Sequence, residues 1–236
     1  WWGVTDAAVA KAKTLAGKDY VILLADVYGR GIRPKNPDEA GKASGAAMAD
    51  EKALRSHAAA ALAQLKGAGA KSPVDTSRIG AIGFCFGGAV ALDLARSGAD
   101  LKGVATFHGN LATSMPAKKG ELKAPLLVMN GGDDKFISHE LIDKFQDEMR
   151  GAGADWQFVN FGGAVHCFAE PDEYNTVPGC NFNPAAYKRS VGSFTDLEKK
   201  FQVSKALEPV VKAMQAYSQA AARTQGVKYR QLPPTD

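Results

Sequence analysis

The chain of 236 residues is poor in sulfur and imidazole, with 3 cysteines and 4 histidines. Three cysteines cannot make the scaffold of a small disulfide protein. Cys167 and Cys180 are close in sequence and could pair, but two unpaired thiols are the preferred reading. No H-x-H or Cys/His spacing of the zinc type occurs, so no metal and no other cofactor is expected. No apolar run approaches the length of a bilayer span, so no membrane partner is expected. Charge of one sign is lacking too. The formal net charge is only +4 and the basic residues are scattered, which argues against a nucleic-acid partner. The first residue is Trp1, and no leader-like segment is visible. The compartment is therefore open, with the cytoplasm as the working expectation.

What is present is apolar substance and glycine. Hydrophobic residues make up 45% of the chain, and there are 25 glycines, many at the ends of apolar runs. That pattern suits strand–turn–helix alternation. Thr5 and Asp6 open a helix that stops at Gly17. Residues 19–26, "DYVILLAD", read as a buried strand, and the Gly/Pro/Lys-rich "VYGRGIRPKNPDEAGKASG" as an excursion loop. One long alanine-rich helix is expected over 45–67. Further strands are expected at 78–84, 102–109, 124–132 and 155–163. A helix follows 78–84, and a second starts at a Ser138 cap and ends at Gly151. The pattern turns helical again from Ala185 towards Ala222. The expected architecture is one α/β domain over 1–236, a mostly parallel sheet with helices on both faces.

The chemistry centres on "GFCFGG", residues 83–88. A strand that turns sharply into a helix leaves the central side chain exposed, and the flanking positions must be small. Cys85 would sit at that point, at a helix N-terminus that favours the thiolate. The backbone N–H of Phe86 would point to where an oxyanion forms. The competing reading is a buried structural cysteine in a glycine-rich turn; the dinucleotide pattern G-x-G-x-x-G is absent. Two further strands supply partners on the same sheet edge. Asp133 and Asp134 follow one, and His166 follows the next. Asp134 is preferred because it lies one step further round the turn, although spacing alone does not decide. His108 ends another strand there, and is a pocket-lining residue or an alternative base. His57 and His139 read as surface residues, and Asp26 as a structural partner for a loop.

The segments "WWGVTD", "ADVYGRG", "GFCFGG", "TFHGNL", "NGGDDKF" and "GGAVHCFAEP" resemble the dienelactone hydrolase family of α/β-hydrolases, from Trp1 to about Phe201. The resemblance implies the α/β-hydrolase fold and a Cys85–His166–Asp134 triad, with Asp134 closing a G-x-x-D turn. It implies a second oxyanion N–H at Trp1. It also implies strands and a glutamate upstream of Trp1 that this chain lacks, and a helical C-terminal extension over about 202–236. Relatives bind a substrate carboxylate with an arginine four residues after the histidine. Glu170 stands there and would repel an acid, so neutral esters or lactones are expected. Trp2, Tyr28, His108, Phe136 and Phe168, with Trp1 and Phe86, are candidate pocket walls.

The function expected is hydrolysis of carboxylic esters or lactones through a thioester, without a metal, with aryl esters and activated phosphotriesters as side substrates. The alternatives are a thioesterase, a cysteine peptidase, or a non-catalytic redox-sensing protein. The expected partner is a small molecule, with the chain a monomer or homodimer.

Overall fold

The computed structural model describes residues 1–18, 20–69, 74–171 and 177–190. Four parallel strands lie in chain order: β1 Ala81–Phe84, β2 Val104–Phe107, β3 Leu126–Gly131 and β4 Trp156–Phe161. Ala81 pairs with Val104, Val104 with Leu126, and Leu126 with Trp156. In this register every strand ends at the same edge, and each segment that follows one emerges there.

The strands read as nearly unbroken apolar runs because both faces of the sheet are covered. Side chains alternate between the faces. On one face Val104, Leu126 and Val128 join Leu54 and Ala58 of α3 (Glu51–Ala68), Val90 and Leu94 of α4 (Phe86–Arg96), and Phe145 and Met149 of α5 (His139–Ala152). On the other, Ala105, Phe107, Leu127 and Met129 join Leu15 of α1 (Asp6–Ala16) and Ala186 and Tyr187 from the helical residues 184–190. Fully burying a side chain such as Phe145 or Met149 contributes roughly 1.5–3 kcal/mol.

Capping explains most helix ends. The Thr5 hydroxyl accepts from the Ala8 amide at 3.1 Å, and Ser138 accepts from Leu141 at 3.2 Å. Helix α5 runs past Gly151 to a left-handed cap at Gly153 (φ 68°), whose N–H reaches the Arg150 and Met149 carbonyls.

Three expectations need correction. The stretch expected as a loop and then one long helix is two helices, α2 (Pro37–Ala49) and α3. Asn36 accepts from the Glu39 amide at 2.9 Å and donates to its carboxylate at 2.8 Å, so Pro37 starts a helix rather than breaking one. Asp50 leaves helical geometry (φ −114°, ψ 68°) and caps α3 through the Ala53 amide at 3.0 Å. The strand expected over 19–26 is the second correction. Residues 20–26 make no ladder with any described strand, and Val21 is 53% exposed. An apolar, β-prone sequence becomes a strand only where a neighbour completes its hydrogen bonds. The described sheet therefore has four strands where five were expected. The third concerns sulfur: Cys167 and Cys180 are a disulfide, with Cα atoms 4.9 Å apart. His166 and Cys180 form a short parallel bridge, which lays the two segments side by side and brings the sulfurs together. The expected helix beyond residue 190 and the 202–236 extension lie outside the described residues.

Buried ion pairs lock the helices to one another. Arg96 of α4 binds Glu148 of α5 through two bonds of 2.9 and 2.8 Å and also donates to the Leu111 carbonyl at 2.9 Å. Arg55 of α3 pairs with Asp93 of α4 and donates to the Met115 carbonyl. Removing one member of such a pair strands the other charge away from water. Glu148→Ala is expected to destabilise the protein by about 3–5 kcal/mol in urea unfolding, whereas replacing the exposed Glu140, whose partner is the exposed Lys144, should change little.

Candidate active site

Cys85 stands between β1 and α4 with φ 50° and ψ −121°, a positive φ that few residues other than glycine adopt. Its neighbours hold it there. Its N–H donates to the Phe107 carbonyl at 3.0 Å, and its carbonyl accepts from the Gly88 and Ala89 amides at 2.9 and 3.3 Å. Strain of this kind costs on the order of 1–3 kcal/mol. The turn is tight enough that a Cβ on Gly83 would lie 2.0 Å from the Gly87 carbonyl oxygen. A glycine is thus compulsory at 83.

Asp134 lies in the turn after β3, where its N–H donates to the Gly131 carbonyl at 3.1 Å. One carboxylate oxygen accepts from the Phe136 amide at 2.8 Å, and the other meets His166 Nδ1 at 2.7 Å. Asp133 is exposed, whereas Asp134 is buried and bonded to His166, so geometry separates two aspartates that spacing could not. His166 arrives on the loop after β4. That loop crosses the end of β3 so closely that a Cβ on Gly131 would sit 2.6 Å from the Ala164 carbonyl oxygen. His166 Nε2 lies 3.2 Å from Cys85 Sγ. Sulfur, imidazole and carboxylate form one hydrogen-bonded line, although they come from three separate strand ends.

The electrostatics follow from that line. Burial opposes ionisation of both Cys85 and His166. For His166, the Asp134 and Cys85 hydrogen bonds overcome it and raise the imidazole to about 9. For Cys85, the hydrogen bond and charge of His166, helped by the Phe86 amide, bring the thiol below its ordinary value. Both shifts run towards a thiolate–imidazolium pair, with Nδ1–H directed at Asp134.

The other candidates fall into two groups. Tyr28 stacks on Phe86 with ring centroids 5.1 Å apart, and its hydroxyl donates to the Trp1 carbonyl at 2.9 Å. Trp1 and Trp2 meet edge to face at 5.6 Å. Phe136, 58% exposed, lies against His166 at 5.1 Å. Phe136 thus touches the imidazole, and Trp1, Tyr28 and Phe86 pack in the same cluster as Cys85. Phe168 does not: it is 0% exposed, packed against Phe161 and His108 in the core. His108 is also fully buried, left-handed at φ 43°, with its ring 5.0 Å from that of His166. Burial above all, then the His166 and Lys11 charges, holds it neutral, well below the ordinary imidazole value. His57 and His139 are exposed, and Asp26 is paired with Arg33 in its loop, as expected.

Glu170 departs from expectation. It is 6% exposed and bonded to Lys11, whose ammonium also lies over the Phe84 ring. The repulsion expected from a bare carboxylate is therefore offset by a cation. Lys11 escaped sequence reasoning because the pair is 159 residues apart in the chain and α1 carries another lysine, Lys13.

Two outcomes test this geometry. Iodoacetamide should alkylate Cys85 with a pH midpoint below the ordinary thiol range. His166→Gln removes the cation that lowers it, so the midpoint should rise towards or above that range. In ester turnover, Asp134→Asn should lose at least about ten-fold more than Asp133→Asn, because only residue 134 orients the imidazole.

A dienelactone hydrolase-like promiscuous phosphotriesterase from metagenomic libraries is 34% identical in sequence, with a TM-score of 0.75 covering 84% of this chain and 82% of that one. The uncharacterised protein K02A2.1 of Caenorhabditis elegans is 37% identical over 121 residues, 50% of this chain and 76% of the worm protein. A putative carboxymethylenebutenolidase of Methylorubrum extorquens is 34% identical over 117 residues, 46% of this chain but only 39% of the bacterial protein. The parallel sheet flanked by helices is the α/β-hydrolase fold, and the enzyme is a dienelactone hydrolase-like hydrolase. Residues 1–202 match the Dienelactone hydrolase family, and the chain belongs to it.

Proposed function

We propose that the protein hydrolyses small carboxylic esters or lactones, with Cys85 as nucleophile, His166 as acid and base, and Asp134 as the group that orients His166. The observation that carries this reading is the line from Asp134 Oδ2 to His166 Nδ1 at 2.7 Å and from His166 Nε2 to Cys85 Sγ at 3.2 Å.

The thiolate attacks the ester carbonyl, and the C=O electron pair moves onto oxygen. The Phe86 amide, at the start of α4, donates to that oxyanion, with the backbone nitrogen of Trp1 as second donor. When the oxyanion collapses, the C–O bond to the alcohol breaks. His166 Nε2 gives its proton to the departing oxygen, leaving a thioester on Cys85. Sulfur no longer carries charge, so the imidazole loses one of the two partners that kept it protonated. Neutral His166 then takes a proton from water as the oxygen attacks the thioester. Collapse of the second oxyanion expels the thiolate, the acid leaves, and the resting ion pair is restored. Proton and charge balance with no group beyond these side chains and water.

The aromatic ring of Trp1, Trp2, Tyr28, Phe86 and Phe136 favours an apolar acyl or aryl group. Activated phosphotriesters are a side activity supported by the similar metagenomic enzyme, and they need the same nucleophile and oxyanion donors. Esters are favoured over peptides because an amine leaves less readily than an alkoxide or phenolate. Among the described residues no helix is long and apolar enough to cross a membrane. The cytoplasmic location expected from sequence draws no support from the Cys167–Cys180 bridge, a bond rare in reducing compartments.

Cys85→Ala should lower p-nitrophenyl ester turnover at least about 10³-fold with circular dichroism unchanged. Mass spectrometry of wild-type protein quenched with a slow ester should place the acyl adduct on Cys85. Full activity in the variant, or an adduct elsewhere, would sink the proposal.

A further inference from the structure

Cys85 Sγ and one nitrogen each of His108 and His166 all lie within 4.8 Å of one another. Two of the three are accounted for by the hydrogen-bonded line. His108 is not. It is fully buried, and neither ring nitrogen has a hydrogen-bond partner among the described residues. An imidazole buried in this way loses its water at a cost that nothing nearby returns. The ester mechanism gives it no proton to move.

We propose that Cys85, His108 and His166 form a binding site for one thiophilic divalent cation of the zinc kind, and that the bound ion holds the enzyme inactive. The donor set, one thiolate and two imidazoles, suits zinc and its neighbours and is poor for magnesium or calcium. A tetrahedral ion about 2.3 Å from sulfur and about 2.1 Å from nitrogen spaces its ligands roughly 3.5 Å apart. Sγ and His166 Nε2, 3.2 Å apart, already sit near that spacing, and the remaining separations of the triangle are at most 4.8 Å. Asp134, bonded to His166 Nδ1, already occupies the place of the carboxylate that orients a metal-bound histidine. The thiolate and the Asp134 carboxylate balance the two positive charges. The Lys11 ammonium, which faces His108, is itself paired with Glu170.

Binding replaces the proton shared by Sγ and Nε2, and that proton leaves to solvent. The sulfur lone pair that would attack a carbonyl is donated to the ion, and His166 can no longer give or take a proton at Nε2. The fourth tetrahedral position remains for water. This inference rests on the three donor atoms and not on which ester the enzyme takes.

Cobalt(II) is the probe. Titrated into the disulfide-intact protein, it should bind in a single equivalent, with intense tetrahedral visible bands and a near-ultraviolet sulfur-to-cobalt charge-transfer band. Cys85 is the free thiol among the described residues, so that band reports on it. Ester turnover should fall in step with the band and return on adding EDTA, and zinc should displace cobalt. His108→Asn, which tolerates the left-handed backbone, should weaken cobalt binding about ten-fold or more. Cys85→Ala should abolish the band. Unchanged cobalt affinity in a folded His108→Asn protein overturns the proposal. So does the absence of the band in wild-type protein, however the variants fold. Ester hydrolysis by Cys85 would survive either result, so the two readings fail separately.

Discussion

The candidate site depends on His166 having two partners at once. Asp134 alone would raise the imidazole, and Cys85 alone would compete with burial for its proton. Together they keep a cation in a place that burial disfavours, and that cation holds the thiol below its ordinary value. The sheet makes this possible. Parallel strands in chain order deliver the segments after β1, β3 and β4 to one edge. Two glycines permit the close approaches: Gly83 lets β1 turn into α4, and Gly131 lets the histidine loop cross β3. Backbone geometry thus sets the electrostatics, by deciding which side chains share one small volume.

Much of this was legible in the sequence. The elbow announced itself because its demand for small residues is local. Four strands and the helices α1, α4 and α5 were read from runs that are apolar, capped and ended by glycine or a turn. Legibility failed where structure depends on distant partners. Residues 20–26 have the composition of a strand but no described neighbour to pair with. Residues 27–45 read as a loop on their Gly, Pro and Lys content, but the Asn36 cap starts α2 at Pro37. The Cys167–Cys180 bond needs the two segments side by side, a fact no spacing encodes. Asp133 and Asp134 differ only in where the turn aims them. Lys11 and Glu170 could be recognised as a pair only once α1 was placed on the sheet.

The two histidines that nearly touch show how environment divides one residue type. His166 has a carboxylate behind it and a thiolate in front, and stays charged. His108, with neither, is fully buried beside that charge and stays neutral. The same closeness keeps a protonated His108 from competing for the sulfur. It also leaves an uncharged nitrogen beside the thiol, the arrangement on which the cation site is argued.

The order of these groups along the chain has a consequence for biosynthesis. Residue 85 leaves the ribosome well before residue 166. Until the imidazole has emerged and docked, the nascent chain carries an ordinary thiol, mostly protonated and slow to react with oxidants. Translation therefore delays the appearance of the reactive sulfur until the sheet that shelters it can form.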